Sequence, residues 1–149
     1  MKNQILTLFL LLNISAFAQA PLTGSVSYEN ERYDAVLTSF PASTDYIKEA
    51  WENFAKENFG AKPKGNGFLS NKDVLRIEGE VLEGLSTTPA NLYAMIITSA
   101  DGSTEIRVFM SFDKKNKVSP NNNNDDLFEK VKAAVDRFAK QTNTTWYAE

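Results

Sequence analysis

Residues 91–112, NLYAMIITSADGSTEIRVFMSF, are two strand-like runs separated by Asp101-Gly102. Both residue types tolerate positive φ, so the pair reads as a two-residue hairpin loop. That loop sets Ile97 opposite Ile106, Met95 opposite Val108 and Tyr93 opposite Met110. Side chains alternate along a strand, so these six share one wholly apolar face. The other face takes Thr98 with Glu105, Ile96 with Arg107 and Ala94 with Phe109. Burial of the first set would enforce this register, because a one-residue slip turns it outward. A longer loop, Ser99 to Ser103, is the alternative, read as keeping the same faces.

The pattern repeats upstream. DVLRIEGEVLEG (73–84) is a strand with Leu75, Ile77 and Val81 on one side and Arg76, Glu78 and Glu80 on the other. Gly79 within it marks a bulge or a close approach. GLSTTPAN is the loop into residue 92. SVSYENERYDAVLTSF gives two strands around Glu29-Asn30, or one long bent strand. KPKGNGF reads as a basic turn, with Phe68-Leu69 opening a short strand. Two segments change period from 2 to 3.6. After Pro41, Ser43 or Thr44 caps a helix carrying Ile47, Ala50, Trp51, Phe54 and Ala55, and Gly60 stops it. A second helix opens at Asp125 or Asp126, with Asp126 and Glu129 at capping-box spacing. Its stripe is Leu127, Phe128, Val131, Ala134, Val135, Phe138 and Ala139.

The resulting order is β(β)-α-β-β-β-(β)-α, an α+β class. Consecutive strands joined by turns predict an antiparallel sheet of five or six strands. Both helices are expected on one sheet face, the last gripped by a curved sheet. The second hairpin face, with Ala94, Ile96 and Phe109, is then a partly apolar candidate interaction face and a candidate homodimer surface.

The opening MKNQILTLFLLLNISAFAQA alters where this domain is expected to work. Lys2 precedes an apolar run from Ile5 to Leu12, and small residues follow at Ala16, Ala18 and Ala20. That is the layout of a secretory signal peptide over residues 1–20, leaving one α+β domain over 21–149. The run is shorter than the ~20 apolar residues that span a bilayer. A periplasmic or secreted protein is expected, with no integral membrane segment after cleavage. No cysteine is present, so neither acylation at cysteine nor a disulfide can occur. A domain of ~130 residues buries about two-thirds of its unfolded surface and holds together by packing alone. Without Lys2, 15 basic residues face 19 acidic ones, a balance that disfavours nucleic acid and anionic membranes.

The chain contains no histidine. Histidine-based triads, thiol nucleophiles and cysteine-ligated metal are therefore excluded. Glu78 and Glu80 share a strand face with α-carbons about 6.6 Å apart, and paired carboxylates serve glycoside hydrolysis. A solvated strand face paired with Arg76 or Lys72 explains them as well, with Glu83 nearby. NNNNDD (121–126) fails the calcium-loop pattern, since Asp126 and Lys132 stand where glycine and glutamate belong. KPKGNG lacks the phosphate-loop spacing. Asn143-Thr144-Thr145 is a formal glycosylation sequon; Trp146 and Tyr147 either bind a sugar or a partner or fold back onto the sheet as a short edge strand, and packing is favoured because aromatic side chains carry large burial energies. No catalytic, metal or cofactor residues emerge.

With the signal peptide, AWENFAKENFG, AKPKGNG and the antiparallel strands taken together, the chain resembles small exported proteins of Gram-negative bacteria with no characterised activity. The resemblance implies an extracytoplasmic address and brings no catalytic residues. In element order it is also similar to helix-grip ligand binders. The reading reached is an exported, non-enzymatic binding or interaction domain for an unknown protein or small apolar ligand. Its rivals are a carrier holding such a ligand between sheet and C-terminal helix, and a carboxylate-dependent hydrolase.

Overall fold

The computed structural model describes residues 20–65 and 73–148. The expected signal-peptide residues 1–19 and the expected strand at Phe68-Leu69 lie outside them. The order is β1 (Leu22–Tyr28), β2 (Glu31–Phe40), α1 (Thr44–Phe59), β3 (Val74–Glu80), β4 (Ala90–Thr98), β5 (Thr104–Ser111) and α2 (Asp125–Ala148). The fold is α+β. One antiparallel five-stranded sheet runs β1-β2-β5-β4-β3. Among the described residues, no helix is long and apolar enough to cross a membrane.

Each turn follows from which residues accept positive φ. Glu29 and Asn30 both do, at 49° and 62°. A two-residue loop joining paired Tyr28 and Glu31 results. At Asp101-Gly102 only the glycine does, at 85°. Gly102 N donates to Ser99 O at 3.0 Å and Ser99 N to Ser103 O at 2.8 Å. The Asp101 carboxylate accepts from Ser103 N at 3.0 Å and Ser103 Oγ at 2.6 Å. The loop is thus the longer one, with a turn over Ser99–Gly102 and the glycine as bulge residue.

The longer loop shifts the expected register by one residue. Thr98 pairs with Thr104, Ile96 with Ile106, Ala94 with Val108, Leu92 with Met110 and Tyr93 with Phe109. Even-numbered residues of β4 now share a face with even-numbered residues of β5. Met95 is not opposite Val108, and the expectation that the longer loop keeps the same faces fails because it changes the parity of pairing.

The helices cover the even-numbered face of β4 and β5. Leu92, Ala94, Ile96, Ile106, Val108 and Met110 join Val36, Phe40, Leu75 and Ile77 in the main core. Val81, expected beside Leu75 and Ile77, is instead exposed, because β3 ends at Glu80. The predicted bulge is present: Gly79 has φ 68°, and the β3–β4 register shifts between Ile77 and Glu80. Gly79 N donates to the Asn91 side-chain oxygen at 2.8 Å. On its outer side, Arg76 exchanges backbone hydrogen bonds of 2.8 and 3.1 Å with Lys64.

Helix α1 is capped by Ser43, whose Oγ accepts from Tyr46 N at 3.3 Å, and closes at left-handed Gly60. The Thr104 hydroxyl donates to Ala42 O at 2.7 Å, tying the start of β5 to the entry of α1. Helix α2 lies across the central strands β2 and β5, and α1 across β4. The chain's end does not form an edge strand, because α2 continues through Trp146 and Tyr147. Trp146 meets Tyr46 of α1 at 5.0 Å between ring centres, while Tyr147 stays exposed.

Phe138 of α2 contacts Phe40, Trp51 and Phe54, with ring centres 5.5, 5.1 and 5.3 Å away. Phe138→Ala is expected to lower the free energy of unfolding by about 3–5 kcal/mol in urea titration. Tyr147→Ala, on the exposed side of the same helix, should change it by less than about 0.5 kcal/mol.

Candidate binding surface

The sheet face that neither α1 nor α2 covers is also apolar, and strand alternation builds it. In β1, Thr23, Ser25 and Ser27 fall on the helix side of the sheet, while Val26 and Tyr28 fall on the other. β2 adds Tyr33, Ala35 and Leu37, β4 adds Tyr93 and Met95, β5 adds Phe109, and β3 adds Val74. Across the strands, Val26 pairs with Tyr33 and Tyr93 with Phe109, so the rings meet. Tyr93 stacks on Phe109 at 5.0 Å with 16° between planes. Tyr33 lies 4.9 Å from Phe109, and Tyr28 lies 5.2 Å from Tyr93.

Charged side chains border this cluster. Lys117, in the segment after β5, reaches back to Glu31 Oε2 at 2.6 Å and Arg32 O at 3.0 Å. Its ammonium sits 4.8 Å from the Tyr33 ring centre, a cation–π arrangement. Arg76 and Glu78 pair at 3.8 Å. Beyond the rings the surface turns aliphatic. Leu22 pairs with Leu37, and Leu37 with Arg107; Arg107 in turn pairs with Met95, and Met95 with Val74. Leu22 is 63% exposed, and Leu37, Met95 and Ile97 are partly exposed. Arg107 makes an ion pair with Glu105 in the middle of this strip.

The tyrosines have perturbed acidity. Burial pushes the Tyr93 phenol well up from its ordinary value, with the negative charge of Glu78 adding to the effect. Burial also raises Tyr28, helped by Glu29. Tyr33 is raised by burial against the opposing pull of Lys117. In each case the neutral phenol is the form that suits the folded protein.

The residues anticipated as an interaction face do not form one. Ala94 and Ile96 are fully buried beneath the helices, and Phe109 lies on the opposite face, covered by tyrosine rings. Register parity is the reason. The tyrosine cluster went unrecognised, although alternation in SVSY and RYDAVL carries its signal: Val26, Tyr28, Tyr33, Ala35 and Leu37 recur at every second position.

Glu78 and Glu80 do face a common surface pocket of about 260 Å³, shared with Lys62, Lys64 and Arg76. It is a mixed-charge cluster on an exposed strand end, with Glu78 paired to Arg76. Glu83 sits by Gly60 at the end of α1. The polar 121–126 segment serves as a linker. Asn122 Nδ2 donates to Lys117 O at 2.8 Å, Asn122 Oδ1 accepts from Asn124 N at 2.9 Å, and α2 begins at Asp125. The space between sheet and helices holds Phe40, Trp51, Phe54, Phe59 and Phe138, all buried.

No protein-family model and no curated protein matches the chain. Among solved structures, the crystal structure of CalU16 from Micromonospora echinospora is similar over 86% of this chain and 95% of its own, at 13% identity and a TM-score of 0.32. A likeness so distant carries no argument here.

The raised phenols set a pH dependence. An unfolded tyrosine ionises near pH 10, and these ionise later when folded. The stability they contribute is complete below about pH 10 and declines as pH rises beyond it. Urea midpoints measured from pH 9 to 11 should fall less steeply for Tyr93→Phe than for the unaltered chain, with lysine deprotonation common to both.

Proposed function

We propose that this chain is an exported, non-enzymatic interaction domain that pairs with a second copy of itself through the sheet face left free by α1 and α2. The observation that carries this is the partly exposed strip of Leu22, Leu37, Met95 and Ile97 around the Arg107–Glu105 pair. An apolar surface with a charged border is the usual mark of a protein contact. A cation and an anion side by side at its centre are self-complementary. Under a two-fold axis, Arg107 of each copy meets Glu105 of the other. Export is supported by the charged, apolar and small-residue layout of residues 2–20.

The rival readings find less support. A carrier needs room between sheet and helix, and aromatic side chains occupy that space. A hydrolase built on Glu78 and Glu80 would have its carboxylates among three cations on open surface.

Sedimentation equilibrium of the exported chain at tens of micromolar should report a dimer. Arg107→Glu or Glu105→Arg alone should weaken association about tenfold or more through like-charge contact. Met95→Asp should do the same, and the charge-swapped double variant should recover association. A monomer at all accessible concentrations would overturn the pairing, as would a dimer indifferent to all three single variants.

A further inference from the structure

The outer surface of the helical layer carries a second feature, separate from the sheet face. Helices α1 and α2 diverge enough to leave a groove of about 400 Å³ between them. That lies within the ~300–1,000 Å³ range of small-molecule sites. Its floor is Ala50, Phe54 and Phe138. On the α1 side stand Glu49, Asn53 and Glu57, spaced at i, i+4 and i+8, so all three project along one edge. The α2 side contributes Gln141, Thr142 and Thr145.

Charge in this groove is one-sided. Two carboxylates line it and no lysine or arginine does. Neither Glu49 nor Glu57 makes an ion pair with another described residue. The second observation is independent of the acids. Thr142 is only 5% exposed, lines the groove, and its hydroxyl has no hydrogen-bond partner among the described residues. The neighbouring Thr144 and Thr145 hydroxyls, by contrast, donate to Lys140 O and Gln141 O. A buried hydroxyl left without a partner is costly, and a ligand donor or acceptor would satisfy it.

We propose that the α1–α2 groove binds a linear aliphatic polyamine. Glu49 and Glu57 are two helical turns apart, about 12 Å along the axis at 1.5 Å per residue, so each can meet one terminal ammonium of an extended triamine. Ala50, Phe54 and Phe138 take the methylene chain. Thr142 accepts from the central amine, and Asn53 and Gln141 complete the polar rim. A single metal ion does not suit this arrangement, because the carboxylates are too far apart to share it.

The test is calorimetric titration of the exported chain with spermidine at low salt. Saturable one-to-one binding is expected. The Glu49→Gln/Glu57→Gln double variant, altered only at exposed positions, should weaken it about tenfold or more. Thr142→Val, which keeps shape and removes the hydroxyl, should weaken it several-fold with the circular dichroism spectrum unchanged. The paired control Glu80→Gln/Glu129→Gln removes the same charge elsewhere and should leave binding intact. Absence of saturable binding, equal weakening by the control pair, or full affinity in the Glu49/Glu57 variant would each overturn the proposal. Should Thr142→Val unfold the protein, Thr142→Ser restores the hydroxyl, and retained binding there with loss in the carboxylate variant supports the site.

Discussion

Phe138 reaches down from α2 into a nest of rings formed by Phe40 on β2 and Trp51 and Phe54 on α1. The neighbouring β2 and α1 and the sequence-distant α2 thus meet at one side chain. Trp51 and Phe54 in turn touch Phe59, so the aromatic contact runs down the last two turns of α1. Aromatic side chains bury large areas and prefer tilted, edge-to-face geometry, which sets the angle as well as the distance of approach. Neither helix can slide over the sheet without breaking contacts to the other. The filled helix–sheet space and the groove above it are both results of this arrangement: the rings close the inner side, and the smaller Ala50 and Thr142 leave the outer side open.

Much of this was legible in the sequence. Helical periodicity located both helices, Ser43 and Gly60 marked the ends of α1, and Glu29-Asn30 and Gly79 marked a turn and a bulge. The failure at β4–β5 has a specific physical origin. Asp-Gly permits positive φ at two residues, but here the aspartate uses its carboxylate to hold Ser103, and only the glycine turns left-handed. The register moves by one residue and every side chain of β4 changes partner. Both faces of these strands are rich in apolar residues, so patterning could not choose between the two registers. Tyr93, Met95 and Ile97 look as fit for a core as Leu92, Ala94 and Ile96. In the fold it is Leu92, Ala94 and Ile96 that join the core shared with the helices.

The sheet face left free by the helices was hidden for a further reason. Its aromatic half depends on Tyr28 and Tyr33 from one end of the sheet meeting Tyr93 and Phe109 from the middle. Strand order β1-β2-β5-β4-β3 brings them together, and that order is a long-range property that no local window contains. The helical end residues were misassigned for a different reason. NTTWYA has the β-branched and aromatic composition of a strand, and contact of Trp146 with Tyr46 holds it helical.

The bulge at Gly79 and the short bridge from Lys64 have a consequence for behaviour at high concentration. An unpaired strand at the rim of a sheet offers its amides and carbonyls to any passing chain. On β3 the outward-facing Arg76 groups are already taken by Lys64, and the backbone kinks at the Gly79 bulge beyond it. A foreign strand has no straight, vacant ladder to extend there, so fibrous growth through that rim is refused its first hydrogen bonds.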